Sequence, residues 1–214
     1  MSKSDQIIVL GAGGHAKVAI DTLNAVGAKI IGITDRNSAK HGSIICGLPV
    51  LGGDGEITKY PSDSVRLVNG IGSTRIPNIR RRLFLQFCEK GYVFHTLVHP
   101  SAIVGAETSL GEGVQIMAGT IVQPGCRLGD NTIVNTGAQI DHDCIIGDHV
   151  HIAPGAILSG GVRVGDGSHV GVGATIIQNI EIGDESLIAA GSVVVQNVPA
   201  KAQVSGVPAL SMGR

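Results

Sequence analysis

The chain has 214 residues, 43% of them hydrophobic but only 2% aromatic, with 32 glycines and a formal net charge of -1 from 16 basic and 17 acidic residues. That length holds two modest domains, and the balanced charge excludes the broad electrostatic footprint of a nucleic-acid or anionic-membrane binder, so neither partner is expected. The apolar run 7–10 is too short for a signal or transmembrane segment, which predicts a cytoplasmic protein.

Residues 6–10 read as a strand running into Gly11-Ala12-Gly13-Gly14-His15-Ala16, then a helix to about residue 26 that stops at Gly27, and a second strand over 29–34 ending at Asp35. A glycine turn at a helix N-terminus offers backbone N–H groups and the positive end of the helix dipole to phosphate. The turn also fits the G-x-G-x-x-A dinucleotide pattern, with Asp35 near the distance at which an acid holds a ribose hydroxyl. Fewer than 100 residues precede the repeat that follows, too few for a six-stranded dinucleotide sheet. The expected ligand is therefore a nucleotide-type molecule other than nicotinamide, with His15 as a donor to phosphate or sugar; a purely structural tight turn is the competing reading. A further strand over 65–68 ends in Asn69-Gly70-Ile71-Gly72-Ser73. Residues 76–90 read as a helix with Ile76, Ile79, Leu83 and Phe87 on one face and Gly91 as its stop. Arg75, Arg80, Arg81 and Arg82 read as a solvated basic stretch.

From Val98 to Val194 every sixth residue is aliphatic, at seventeen successive positions. Neither the 3.6-residue period of a helix nor the two-residue period of a flat strand produces this, so the segment is predicted to be a solenoid. Gly111-Glu112, Gly129-Asp130, Gly147-Asp148, Gly165-Asp166 and Gly183-Asp184 recur every eighteen residues, so three hexapeptides make one coil of a triangular prism, with roughly five coils stacked about 4.8 Å apart. These pairs are expected at one corner, the glycine at positive φ and the acid in water. Small or β-branched residues lie four places after most aliphatic ones and suit a narrow interior. Cys126 and Cys144 are two of these, one coil apart; two buried thiols are the reading taken, although a disulfide fits the spacing. With Cys46 and Cys88 they do not form a secreted disulfide framework. The chain thus divides into an α/β, Rossmann-like βαβ domain over 1–97 and an all-β parallel β-helix with a C-terminal tail over 98–214.

No long insertion interrupts the prism, so a site needs a second surface, either the N-terminal domain or a neighbouring copy around a threefold axis. Polar residues concentrate over 135–151. His142 follows inward Ile140 and is flanked by Asp141 and Asp143; a carboxylate that orients an imidazole and raises its basicity makes a general base near neutral pH. Gly160 and Gly161, one coil above, offer N–H groups to a developing oxyanion. The alternative is a surface histidine in a polar corner. Cys144 lies in the inward register and is expected to be buried and inert. His149 and His151 alternate onto one strand face, and His151 and His169 stack one coil apart. Interface histidines also describe the trimeric, zinc-binding gamma-class carbonic anhydrases, but their pair of histidines five residues apart is missing from this coil, and no metal is expected.

Together, the Gly11–His15 turn, the hexapeptide repeat, Asn135-Thr136 with Asp141-His142-Asp143, and the closing Ser205-Gly206-Val207-Pro208-Ala209 resemble a known family over nearly the whole chain. It is the sialic acid O-acetyltransferase, bacillosamine N-acetyltransferase and perosamine N-acetyltransferase group of sugar acyltransferases. The resemblance implies a left-handed coil, against the usual right-handed crossover. It also implies a homotrimer, acetyl-coenzyme A lying along the coil between subunits, and a nucleotide-linked amino sugar held by the N-terminal domain. His142 matches the family's general base and Asp143 its acidic neighbour. His151, Val172 and Ala190 match acetyl-coenzyme A contacts, and Gly160 is grouped with them. Gly13, Gly14, His15, Asp35, Arg36 and Gly72 match residues lining the sugar nucleotide, and Asn135 is placed with this set. Two positions depart: Leu210 stands where a basic residue usually meets the cofactor, and Arg36 where some members carry an acid. The expected reaction is direct N-acetylation, with O-acetylation of a sugar hydroxyl such as that of sialic acid, a zinc carbonic anhydrase-like enzyme, or a non-catalytic sugar-nucleotide-binding trimer, as alternatives.

Overall fold

The computed structural model describes residues 6–73 and 78–212. The N-terminal sheet is built from β1 (Gln6–Leu10), β2 (Lys29–Thr34), β3 (Ile44–Ile45), β4 (Leu48–Gly52) and β5 (Val65–Asn69), in the order β3-β4-β2-β1-β5. All its pairings are parallel except β3 with β4. Alternation along β1 sends its side chains to two faces. Ile7 and Val9 pack with Ala16, Ala19, Ile20 and Leu23 of helix α1 (Gly14–Ala25), while Ile8 and Leu10 pack with Leu83, Phe84 and Phe87 of helix α2 (Asn78–Cys88). β1 is flanked by β2 on one side and β5 on the other, so the chain leaves their carboxyl ends in opposite directions and opens a crevice between Gly11 and Gly70, the usual ligand position in such sheets.

α2 differs from its sequence-based expectation. Ile76 and Arg75 lie outside the described residues, Ile79 is exposed, and the buried face is Arg80, Leu83, Phe84 and Phe87. Arg80 is therefore no part of a solvated basic face: it is 1% exposed and its Nη1 donates to the carbonyl of Asn131 in the coil. Arg81 reaches Glu185 at 3.4 Å and Arg82 is exposed. The helix packs against the coil as well as the sheet, through Phe84 on His149 with ring centroids 5.5 Å apart.

The coil consists of two-residue strands from Leu97–Val98 to Val193–Val194, those up to Thr175–Ile176 each pairing in parallel with the strand eighteen residues on. Its aliphatic residue is the second of each strand, and from Ile116 to Val194 all are buried. Val104, in the first coil with no rung beneath it, is 36% exposed. The Gly-acid corner forms, but for another reason than expected. Gly111, Gly129, Gly147, Gly165 and Gly183 are not at positive φ; that conformation falls two residues later, at Gly113, Asn131, His149, Gly167 and Glu185. Each acid carboxylate instead reaches down one rung: Asp130 accepts from the N–H of Glu112, Asp148 from Asp130, Asp166 from Asp148 and Asp184 from Asp166, at 2.7 to 2.9 Å. A Cβ on Gly111, Gly129, Gly147 or Gly165 would occupy the carboxylate's place, and one on Gly183 would meet the Ala200 backbone.

The first residue of each strand points outward and gives the prism three different faces. One carries Leu97, Gln115, Ile133, His151 and His169, buried under the N-terminal domain. The second carries Ser109, Arg127, Ile145, Arg163 and Glu181 and is polar. The third carries Ile103, Ile121, Gln139, Ile157, Thr175 and Val193, an apolar strip in which Ile103 is 61% and Ile157 42% exposed. Among the described residues no helix is long and apolar enough to cross a membrane.

Candidate active site

A cavity of about 940 Å³ lies between the crevice of the N-terminal sheet and one corner of the coil. The loops after β1 and β5 bring Gly13, Gly14, His15, Gly72 and Ser73 to one wall, with Asp35 and Lys40 beside them; the coil supplies Asn135, Thr136, His151, Pro154, His169, Val172 and Ala190. Gly13 and Gly14 are exposed and leave open space where a side chain would be. Gly70 cannot carry one, because a Cβ there would come within 2.8 Å of the Ala16 Cβ and the Leu10 carbonyl. Of the residues grouped for the sugar nucleotide, Arg36 alone stays outside: it is exposed and does not line the cavity.

Asp35 is already engaged. Its carboxylate accepts from the N–H groups of Ala12 and Asn37, both at 2.8 Å, and from the Lys40 ammonium at 3.0 Å. Burial alone would raise its pKa, but these donors outweigh burial and hold it below the ordinary carboxylate value. Lys40 also donates to the carbonyl of Ala12 at 3.1 Å, fastening the glycine turn. Lys40 lies between 36 and 64, a stretch with no periodic pattern to flag it.

The histidines under the N-terminal domain are held neutral. His15 Nε2 meets Gln115 Oε1 at 2.8 Å, yet burial and then the charge of Arg80 lower its pKa to about 4. For His151 burial, followed by His169, His15 and Arg80, drives the pKa well below its ordinary value. Asn135 takes the N–H of Thr136 on its Oδ1 and so turns its amide nitrogen toward His151 Nε2, at 3.1 Å. His151 Nε2 is then an acceptor, and its Nδ1–H donates to Ser73 Oγ at 2.8 Å. His149 is not on a strand with His151 but in the preceding turn at φ 60°, bonded to Asn131 and facing Phe84. Cys126 and Cys144 are buried free thiols, donating to the carbonyls of Asp141 and Ser159, and the hydrogen bond with the neighbouring Cys126 thiol, then burial, keeps Cys144 protonated. Among the described residues no three His, Cys, Asp or Glu side chains form a group able to hold a metal ion.

His142 and Asp143 are not in this cavity. They occupy the next corner of the prism, in a shallow depression with Asp141, Gly160, Gly161 and Asn179. Nδ1 of His142 meets Asp143 Oδ2 at 2.8 Å, and Asp141 Oδ1 accepts the His142 backbone N–H at 2.8 Å. The Asp143 bond and then the charge of Asp141 raise the His142 pKa. With its Nδ1–H on Asp143, the imidazole keeps a lone pair on Nε2, which lies against Gly160, 2.6 Å from where a Cβ would stand. Gly160 thus stacks on His142 one rung above it, apart from Val172 and Ala190. The Gly161 N–H is not open to an oxyanion, because it donates to the His142 carbonyl at 2.9 Å.

Residues 6–87 match the family described as the PglD N-terminal domain, and residues 107–142 and 125–160 match the six-repeat bacterial transferase hexapeptide family. Among solved structures, a histidine-to-asparagine variant of perosamine N-acetyltransferase from Caulobacter crescentus, in complex with CoA and GDP-perosamine, is 36% identical over 98% of this chain and 97% of its own, with a TM-score of 0.92. The acetyltransferase domain of PglB from Neisseria gonorrhoeae is 34% identical over 97% and 99%, with a TM-score of 0.91, and is also known in complex with acetyl coenzyme A. WeeI from Acinetobacter baumannii is 25% identical over 96% and 99%, with a TM-score of 0.87. No curated protein sequence matches the chain.

Proposed function

Since the chain belongs to the hexapeptide-repeat sugar acetyltransferases with a PglD-type N-terminal domain, an acyltransferase family built on a left-handed β-helix, we propose that it transfers the acetyl group of acetyl-coenzyme A to the amino group of a nucleotide-linked amino sugar. One observation carries this reading: the glycine turn, His15 and Gly72 of the N-terminal domain converge with Asn135, His151, Val172 and Ala190 of the coil on a single cavity large enough for a nucleotide sugar. The likeness to a perosamine N-acetyltransferase holding CoA and GDP-perosamine supports the same substrates here.

The active unit is a homotrimer with the reacting centre at the seam between copies. His142 stands at one edge of the apolar face and the cavity at the other, six residues along the chain from Thr136 to His142, at most about 20 Å. Packing such faces around a threefold axis buries Ile103 and Ile157 and brings the His142 corner of one copy to the cavity rim of the next. There the sugar nitrogen attacks the thioester carbonyl carbon while Nε2 of His142 accepts the proton. The tetrahedral intermediate collapses with cleavage of the C–S bond, and the proton passes to the departing thiolate. Asp143 orients the ring and stabilises its cation.

Thiol release from acetyl-coenzyme A, measured against GDP-perosamine, UDP-linked amino sugars and sialic acid, tests the reading. Release with an amine-bearing nucleotide sugar is expected. Release with sialic acid alone replaces it by O-acetylation, and no release with any acceptor overturns it.

A further inference from the structure

His169 lines the interdomain cavity, yet the residue is only 6% exposed and its Nδ1 is buried with no hydrogen-bond partner. Its neighbour His151 uses both ring nitrogens, and Asp35 of the same cavity uses both oxygens. His169 stands edge-on to His151, with centroids 4.9 Å apart and planes at 85°. Burial lowers its pKa to about 4, so the ring is neutral at physiological pH and carries one N–H. A buried orphan donor costs more than a buried orphan lone pair, so the proton belongs on Nε2, the nitrogen left open to the cavity.

A phenyl ring would pack against His151 equally well and remove the orphaned nitrogen, so packing does not account for an imidazole at this position. We propose that His169 binds the acceptor substrate, its Nε2–H donating a hydrogen bond to an oxygen of the nucleotide-linked sugar, on the sugar ring or the diphosphate. The assignment rests on the reading of the cavity as a nucleotide-sugar site. It also follows from position: His169 lies on the coil wall between His151 and Leu187, one rung above His151, and lines the same cavity as the glycine turn of the N-terminal domain.

Two variants separate binding from packing: His169→Phe keeps a ring and removes the donor, while His169→Gln returns an amide N–H near the Nε2 position. Calorimetry with GDP-perosamine and a UDP-linked amino sugar, with GDP and UDP alone, and with acetyl-coenzyme A provides the readout. For whichever nucleotide sugar the wild type binds, the Phe variant is expected to lose roughly tenfold in affinity and the Gln variant to regain most of it. Acetyl-coenzyme A affinity should stay unchanged, and the Tm of the Phe variant should equal the wild type's or exceed it by a few degrees. A matching loss with the bare nucleoside diphosphate puts the contact on the diphosphate; a loss confined to the conjugate puts it on the sugar. Unchanged affinity in the Phe variant, a fall in Tm alongside affinity, or a loss confined to acetyl-coenzyme A overturns the assignment while leaving the function intact. If the wild type binds neither nucleotide sugar, the reading of the cavity falls and the assignment with it.

Discussion

His142 and Asp143 are neighbours in sequence, and one 2.8 Å bond settles which nitrogen of the ring can accept a proton. That bond requires Asp143 to bend back across the corner, which it does from the left-handed region at φ 59°, a conformation that aspartate tolerates better than most non-glycine residues. His142→Asn is expected to lower kcat by about 10²–10⁴-fold with little change in acetyl-coenzyme A affinity, read by steady-state kinetics and calorimetry. Asp143→Asn tests the tuning. The imidazole must be neutral to act as a base, and Asp143 raises its pKa above the ordinary 6.5, so the acid limb of kcat/KM should lie above pH 6.5 in the wild type. Without the carboxylate the imidazolium loses its partner, and the limb should shift to lower pH. A limb that stays in place would separate Asp143 from the base. The His-Asp pair was legible in the sequence because adjacent acids mark a basic imidazole; the loss of the Gly161 N–H to the His142 carbonyl was not, because it depends on how one rung sits on the next.

At the scale of the coil, the six- and eighteen-residue periods yielded the inward ladder and the three-sided section, since both follow from side-chain direction alone. What they did not yield was contact between rungs. From Glu107 to Gly191 the turn position three places after the aliphatic residue is left-handed whether it holds Gly137, Asn131, His149 or Glu185, so residue type there conceals a shared conformation. From Gly111 to Gly165 the glycine before the acid looked like a turn residue and is instead room for the carboxylate of the next coil. Gly147→Ala should therefore destabilise the protein although φ at that position is ordinary: its Cβ would meet the Asp166 carboxylate and come within 2.9 Å of the Asp166 nitrogen, which cannot move without shifting a rung. A loss of about 1–3 kcal/mol is expected, read as a Tm drop of several degrees; an unchanged Tm would mean the ladder yields freely. Arg80 was misread for a related reason. A helical wheel built on Ile76 and Ile79 sees only the helix, and α2 turns Arg80 inward to meet a carbonyl of the coil, a neighbour that no local pattern announces.

Across the whole molecule, each face of the prism has one task. The N-terminal domain covers the first, and charge keeps the second in water. The third leaves Ile103 and Ile157 exposed in a strip that runs the height of the coil. That strip separates the proposed base from the cavity at opposite edges of one wall, and in the proposed trimer a neighbour closes the gap. Ile157→Asp places a charge at the middle of the proposed contact, where burying an unpaired carboxylate costs more than the contact gains. Its side chain points outward, away from the coil's own core, so folding should survive with a cooperative thermal transition. Light scattering should report a monomer in place of a trimer, and kcat/KM should fall at least a hundredfold because His142 no longer meets a filled cavity. A variant that dissociates yet keeps full activity would show that one copy brings its own His142 to the acyl donor, and the seam would then have no part in the chemistry.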